Sequence, residues 1–413
     1  MSPENGSLAT RAAAFVAGSP LRFGDFRVLA ASSLLGGMAY IGETVVLGWL
    51  LLERSDSPLI VGVGIALRAL PNLLVGLPGG ALADRVDRRA LLRWVGAASA
   101  VVTLVLALLA FLALLTVWQL LLLTFAGGAI RAMGQSARQS YAFDITGAGQ
   151  IAAGLAFLTL GQRLGGIGSS LVLGAVLEGW GAGEAYAVIA VCNLLSGGLL
   201  FLARTSGQSA PITRPPVVQG LREFRVELRR NRLLGLLVGL TAAVEVLGFS
   251  HQTVLPSLAR DVIRAGPQGL AWLNAAASAG AIVAMFGLAL GGQPRRQGLT
   301  FLVVLLGFGS TLVLLGSSTS LAVALAAVGV VGAFAALSDV LTQSLLQSAV
   351  SNDLRGRVMG SWLLAIGLGP VGHLQIGALA AAGGVTLALT TNGLLLVILG
   401  GIALVMASRV RRL

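Results

Sequence analysis

A 413-residue chain that is 56% hydrophobic and 11% charged lacks the polar surface of a soluble domain, which carries roughly 25% charged residues. That balance excludes an aqueous globule and points to a bilayer as the solvent. The net charge of +12 comes from 28 basic residues, all arginine. Its placement argues against nucleic acid as a partner. With an inner amino terminus, about 22 arginines fall in cytoplasmic segments, three outside (Arg54, Arg260, Arg264) and three within apolar runs (Arg68, Arg131, Arg163). Such asymmetry belongs to membrane topology rather than to a basic groove.

In chain order the apolar runs fall at about 26–52, 58–82, 94–115, 118–140, 151–177, 184–203, 232–257, 267–290, 298–316, 319–345, 355–382 and 385–407. Runs of about 20–25 residues suit some 30 Å of hydrocarbon, and at that length only helices satisfy their own backbone. The expectation is an all-α membrane protein with twelve transmembrane helices and both termini cytoplasmic. The first run serves as the insertion signal, since no cleavable leader is evident. Inner loops carry the arginines, Arg138 among them, and tryptophans near the run ends (Trp49, Trp118, Trp180, Trp272) are expected to anchor at the interface. Cys192 is alone, which rules out an intrachain disulfide, and His251 and His373 are too few for a metal site. No cofactor is expected.

One long break divides the chain. It contains Pro211 and Pro215-Pro216, then Val217, Leu221, Phe224 and Leu228 at helical spacing with arginines on the other faces. The pattern predicts an amphipathic helix on the cytoplasmic leaflet, with a solvated charged linker as the alternative. The domains are therefore a six-helix bundle over 1–204, a linker over 205–231 and a second six-helix bundle over 232–413. The halves echo one another: Gly128 with Gln139-Ser140 recurs as Gly332 with Gln343-Ser344, at the same separation. Two pseudo-symmetric bundles around a central cavity are expected.

Between the second and third runs lies Gly80-Ala81-Leu82-Ala83-Asp84-Arg85-Val86-Asp87-Arg88-Arg89. This stretch resembles the cytoplasmic signature G-x-L-A-D-R-x-G-R-R/K of major facilitator superfamily transporters, with Asp87 in place of the second glycine. The resemblance implies a cytoplasmic gate made by Gly80, Asp84, Arg85, Arg88 and Arg89. The stretch around Ser57-Pro58 and the run Arg355-Gly356-Arg357-Val358-Met359 are similar to the branch of enterobactin exporters and macrolide efflux proteins. In the fifth run, Gly161-Gln162-Arg163-Leu164-Gly165-Gly166 resembles the antiporter motif G-x-x-x-G-P-x-x-G-G, with Gly166 at the proline position. Its glycines alternatively serve only close helix packing.

Charges within spans cost about 2.5–3.5 kcal/mol each on insertion scales, so they are the functional candidates. Glu245, in the middle of the seventh run, and Glu43, in the first, are candidates for proton coupling; each is alternatively a carboxylate paired to an arginine. Arg131-Ala132-Met133-Gly134-Gln135 resembles the R-x-x-Q-G motif of drug exporters, in which the arginine tunes a nearby carboxylate. Its alternative is a pair with Asp144 or Asp339 that ties spans together. Asp339 is a further coupling candidate, or an inner-gate partner for a cytoplasmic arginine.

The expected function is proton-coupled efflux of small hydrophobic or amphipathic molecules by a monomer in a bacterial cytoplasmic membrane. The alternative is a flippase for a lipid-like substrate, or an importer, of the same fold. No nucleotide-binding or nucleophile motif appears, so enzyme chemistry is not expected.

Overall fold

The computed structural model describes residues 19–83, 86–207, 231–292, 294–348 and 365–411, with side chains for all of these except 75–83 and 152. Asp84, Arg85, most of the linker and the Arg355–Met359 run lie outside the described residues. Six helices precede the linker: α1 (Gly24–Ser55), α2 (Pro58–Ala83), α3 (Arg88–Phe111), α4 (Val117–Thr146), α5 (Ile151–Gly179) and α6 (Ala182–Leu199). Beyond it come α7 (Arg232–Val262), α8 (Gly266–Gly291), α9 (Gln297–Ser317) and α10 (Leu321–Ser348). A final helical stretch, Gly369–Met406, turns at Gly384, where φ is 84°. That left-handed geometry suits only glycine comfortably, and it separates α11 (369–383) from α12 (385–406).

Ten of these continuous helices are long and apolar enough to cross a membrane; α2, apolar over Pro58–Leu74, and the turn at Gly384 bring the spans to twelve. No strand occurs among the described residues. Helix ends follow from local chemistry. Asp87 Oδ1 accepts from the backbone N–H groups of Arg89 and Ala90 and so opens α3, while Gln119 Oε1 accepts from Thr116 N at 2.8 Å to open α4. Asn231 does the same for α7, accepting from Leu234 N at 3.1 Å. Asp87 therefore replaces the family's glycine with a cap, at φ −59°, where no glycine is needed.

The two halves pack by the same rules. In the first, α1 lies on α5 and α6, α2 on α4, and α3 on α4 and α6; in the second, α7 lies on α11, α8 on α10, and α9 on α10 and α12. The repeated glycine explains part of this symmetry. A side chain at Gly128 would strike the Arg68 carbonyl on α2, and one at Gly332 the Ala277 carbonyl on α8. Between the halves, α2 packs on α11 and α5 on α8. Gly62 faces the His373 carbonyl there, Gly377 faces Pro58, and Gly174 faces Ala271.

Two placements differ from the sequence reading. Trp49 is buried at 9% exposure, against 63% for Trp118 and 73% for Trp180. It belongs to the core, because α1 is central and touches neighbours on several faces. Arg138 is not in a loop: α4 continues through it, and its guanidinium donates to Ser33 Oγ on α1 at 2.9 Å.

Candidate transport site

Glu43, Arg68 and Arg131 sit on α1, α2 and α4, helices brought together by small residues at their crossings. Arg131 Nη1 donates to Glu43 Oε2 at 2.6 Å, and Arg68 Nη2 lies 3.8 Å from the same oxygen. Glu43 is 1% exposed. Both guanidiniums also lie against the ring of Tyr40, at 4.0 Å for Arg68 and 5.1 Å for Arg131, a cation–π arrangement. Arg68 donates in addition to the Tyr40 carbonyl. Tyr40 itself is exposed. Tyr40 escaped the sequence reading, although its three-residue spacing from Glu43 puts the two on one helical face.

Arg131 therefore takes neither of the partners considered for it. Asp144 instead receives Arg88, whose Nη1 approaches its two carboxylate oxygens at 2.7 and 2.9 Å. Arg89 donates to the Ala203 carbonyl at 2.8 Å and Arg93 to that of Leu200. The second half of the Gly80–Arg89 stretch thus grips its own bundle. Residues 204–205 are tied there too, through hydrogen bonds to Asp25.

The second half contributes two carboxylates of a different kind. Glu245 lies in a π-helical turn, Val244–Gly248, followed by a 3-10 turn, Phe249–Thr253. Such turns interrupt α7 just before Pro256, which cannot donate to the helical ladder. Asp339 lies on α10 within electrostatic reach of Glu245, and Arg163 of α5 lies within reach of Asp339 and of Tyr40. Glu245, Asp339 and Arg163 are all half-buried, and none makes an ion pair among the described residues. Asp339 thus faces Arg163 across the halves. The cytoplasmic arginines considered as its partner, Arg355 and Arg357, lie outside the described residues. Within the antiporter-like motif, Gly165 and Gly166 pack on Leu34 and Ile41 of α1 and Gly161 approaches the Ala30 carbonyl, while Arg163 lies within electrostatic reach of Asp339.

At the end opposite the Arg88–Arg89 loop, the halves are joined. Arg260 Nη2 donates to Asp56 Oδ1 at 2.5 Å and Nη1 to the Leu52 carbonyl at 3.2 Å. Gln268 N donates to Glu178 Oε2 at 3.1 Å. A buried polar group sits behind α7, where Asn392 bonds Gln375 at 2.9 Å and Ser250 at 3.1 Å. His373 meets the Thr253 hydroxyl at 2.9 Å. None of these uncharged residues except the histidines gave a signal in the sequence. Among the described residues no group of His, Cys, Asp and Glu could hold a metal ion.

Twelve helices in two similarly packed sets of six, with Glu43, Arg68 and Arg131 buried where α1, α2 and α4 meet, form the frame of this site. A model of the Major Facilitator Superfamily matches residues 28–372. The chain belongs to that superfamily. It is a multi-pass membrane transporter, not an enzyme. It is 26% identical over 387 residues to the multidrug efflux pump Tap of Mycolicibacterium fortuitum, covering 90% of this chain and 93% of that protein. Its fold is similar to a bacterial homologue of the human lysosomal transporter Spinster, with a TM-score of 0.71 and 17% identity over 94% of this chain and 97% of that one. It is also similar to the peptide transporter POT in complex with sulfate, with a TM-score of 0.75 and 16% identity over 94% and 95% of the two chains.

Proposed function

We propose that this superfamily member exports small hydrophobic or amphipathic molecules from the cytoplasm in exchange for protons. The observation that carries the proposal is the contrast between its carboxylates. Glu43 is held between two guanidiniums, whereas Glu245 and Asp339 are half-buried with no ion pair among the described residues. A coupling group must change its charge as the cavity changes sides, and a carboxylate with no fixed cation is free to do so. Glu245, carried on an interrupted stretch of helix, is the first candidate and Asp339 the second. Glu43 and Arg131 support the site by holding Tyr40 and α4 in place.

The likeness to a multidrug efflux pump supports export rather than import. The arginine-rich loops favour an orientation with the Arg88–Arg89 end in the cytoplasm and the Arg260–Asp56 end outside. The outer mouth is then the one closed here, and the Gly80–Arg89 loop acts at the inner mouth when the halves rock. A monomer in the bacterial cytoplasmic membrane suffices for this cycle. One proton entering across 100 mV releases about 2.3 kcal/mol, enough for roughly a 50-fold gradient of substrate.

The test uses everted vesicles containing the protein. An acidic lumen should drive accumulation of a fluorescent amphipathic dye, and a protonophore should abolish it. Glu245→Gln should remove the pH-driven component while leaving exchange of dye down its own gradient. Unaltered pH-driven uptake in that variant would refute the assignment of Glu245. Uptake driven from the opposite side would refute export.

A further inference from the structure

We propose that Asn392 and Gln375 are positioning residues: their paired amides set the interrupted winding of α7 and so aim Arg260 at the mouth it closes with Asp56. The same winding holds the turn that carries Glu245, whose coupling role rests on the proposed function; the winding itself does not. The backbone register of α7 changes along its second part. Phe249 N donates five residues back, to the Val244 carbonyl, and Val254 N only three back, to that of His251 at 3.1 Å. Leu258 N then donates four back to Val254 at 2.8 Å, and Ile263 N again five back to Leu258 at 2.9 Å. In a regular helix each interior carbonyl accepts from the N–H four residues on and needs no side chain. A change of register upsets that pairing, and within hydrocarbon no water makes good the loss.

Polar side chains of the second half gather at this change. Asn392 of α12 is fully buried; its Nδ2 donates to the Leu247 carbonyl at 3.3 Å and to Ser250 Oγ at 3.1 Å. Its Oδ1 accepts from Gln375 Nε2 of α11 at 2.9 Å. The next carbonyl, that of Gly248, accepts from His251 Nδ1 at 2.7 Å, and Thr253 Oγ1 meets His373 Nδ1 of α11 at 2.9 Å. Gly372 of α11 comes against the Val246 backbone, so no side chain separates the π turn from α11. Buried polar groups are costly unless paired, so the amides and the irregular turns specify one another.

The consequence lies where the halves touch. The 3-10 turn Phe249–Thr253 packs on α2, and Gly62 of α2 comes against both the Thr253 methyl and the His373 carbonyl. Arg260 follows on the second π turn, Leu258–Val262, and reaches Asp56 and the Leu52 carbonyl of α1. Each residue of an α-helix turns about 100°. A register shift of one residue between Leu247 and Arg260 therefore carries Arg260 to another face of α7, away from α1.

The test is the distance between spin labels on the ends of α1 and α7 at this mouth, in detergent-purified full-length protein. The double variant Asn392→Leu with Gln375→Leu removes both amides together, so neither is left buried without the other and the fold is kept. It should open the mouth about fivefold more often, as loss of the Arg260–Asp56 contact does. Adding Asp56→Ala to it should bring no further rise, because both changes act on one contact. Leu389→Ala is the control: this buried residue of α12 faces Gly316 of α9, so its loss should lower the unfolding midpoint and leave the distances unchanged. Distances unaltered in the leucine double variant, effects additive with Asp56→Ala, or the same shift in Leu389→Ala would each overturn the inference. The distances are read without substrate or a proton gradient. Failure here leaves the coupling proposal standing, and pH-driven uptake that ignores Glu245→Gln leaves the winding standing.

Discussion

Arg131 and Glu43 meet at 2.6 Å across α4 and α1, and Arg68 stands 3.8 Å from the same carboxylate oxygen. With two cations on one anion in a buried place, the carboxylate is what makes the arrangement tolerable. Removing it leaves both guanidiniums uncompensated, a loss of the kind that costs about 3–5 kcal/mol. Glu43→Gln should therefore lower the thermal unfolding midpoint of the purified transporter markedly. The double variant Glu43→Gln with Arg131→Gln should be less destabilised than the sum of the two single changes. Additive single effects would show that the pair is not coupled.

Asp87 occupies the position where the family signature has glycine, and it caps α3 through Arg89 N and Ala90 N. Asp87→Ala should cost about 1 kcal/mol, whereas Asp87→Gly should cost only a few tenths. Chemical unfolding of the two variants side by side checks this order. A glycine variant worse than alanine would mean that the aspartate does something other than cap.

The Arg260–Asp56 contact joins the halves at the mouth opposite the Arg88–Arg89 loop, but Asp56 is 82% exposed. An ion pair so wet contributes at most about 1 kcal/mol, enough to shift a two-state population about fivefold. Asp56→Ala should therefore raise, without saturating, the fraction of molecules opened at that mouth. Distances between spin labels on the ends of α1 and α7, measured in both proteins, report that fraction. The difference should shrink at high salt.

Gly62 of α2 lies against the His373 carbonyl of α11, with no room for a side chain. Gly62→Leu must push the two halves apart at their contact, and overpacking of this kind costs about 1–3 kcal/mol. The same spin-label distances should lengthen more in this variant than in Asp56→Ala, because backbone cannot move aside as a flexible side chain can. Gly168, in the interior of α5 with open space around it, is the control: Gly168→Ala should leave both distances unchanged and raise stability by up to about 1 kcal/mol.

Span number, the two six-helix halves and the division between α11 and α12 were legible in the sequence because each follows from a one-dimensional rule. Apolar length matched to the bilayer and the placement of breaks do not depend on which helix lies beside which. The glycine shared by α4 and α10 was legible as a repeat for the same reason, since close approach needs the same small residue in both copies. Trp49 was misplaced because its position near a run end says nothing about how many neighbours surround α1.

The partners of the charges were beyond sequence reasoning. Arg131 had two carboxylates considered for it, Asp144 and Asp339, and only the packing of α1 against α4 brought it to Glu43, leaving Asp144 for Arg88. Arg163 belonged by motif to a packing face, and the glycines around it do pack on α1, while Arg163 lies within electrostatic reach of Asp339 on the other half. The chain alone thus determined that this protein spans a bilayer twelve times and carries a few costly charges inside it. Tertiary structure decided which charges cancel and which stay unpaired, because a Coulomb interaction depends on distances in space that no spacing along the chain encodes.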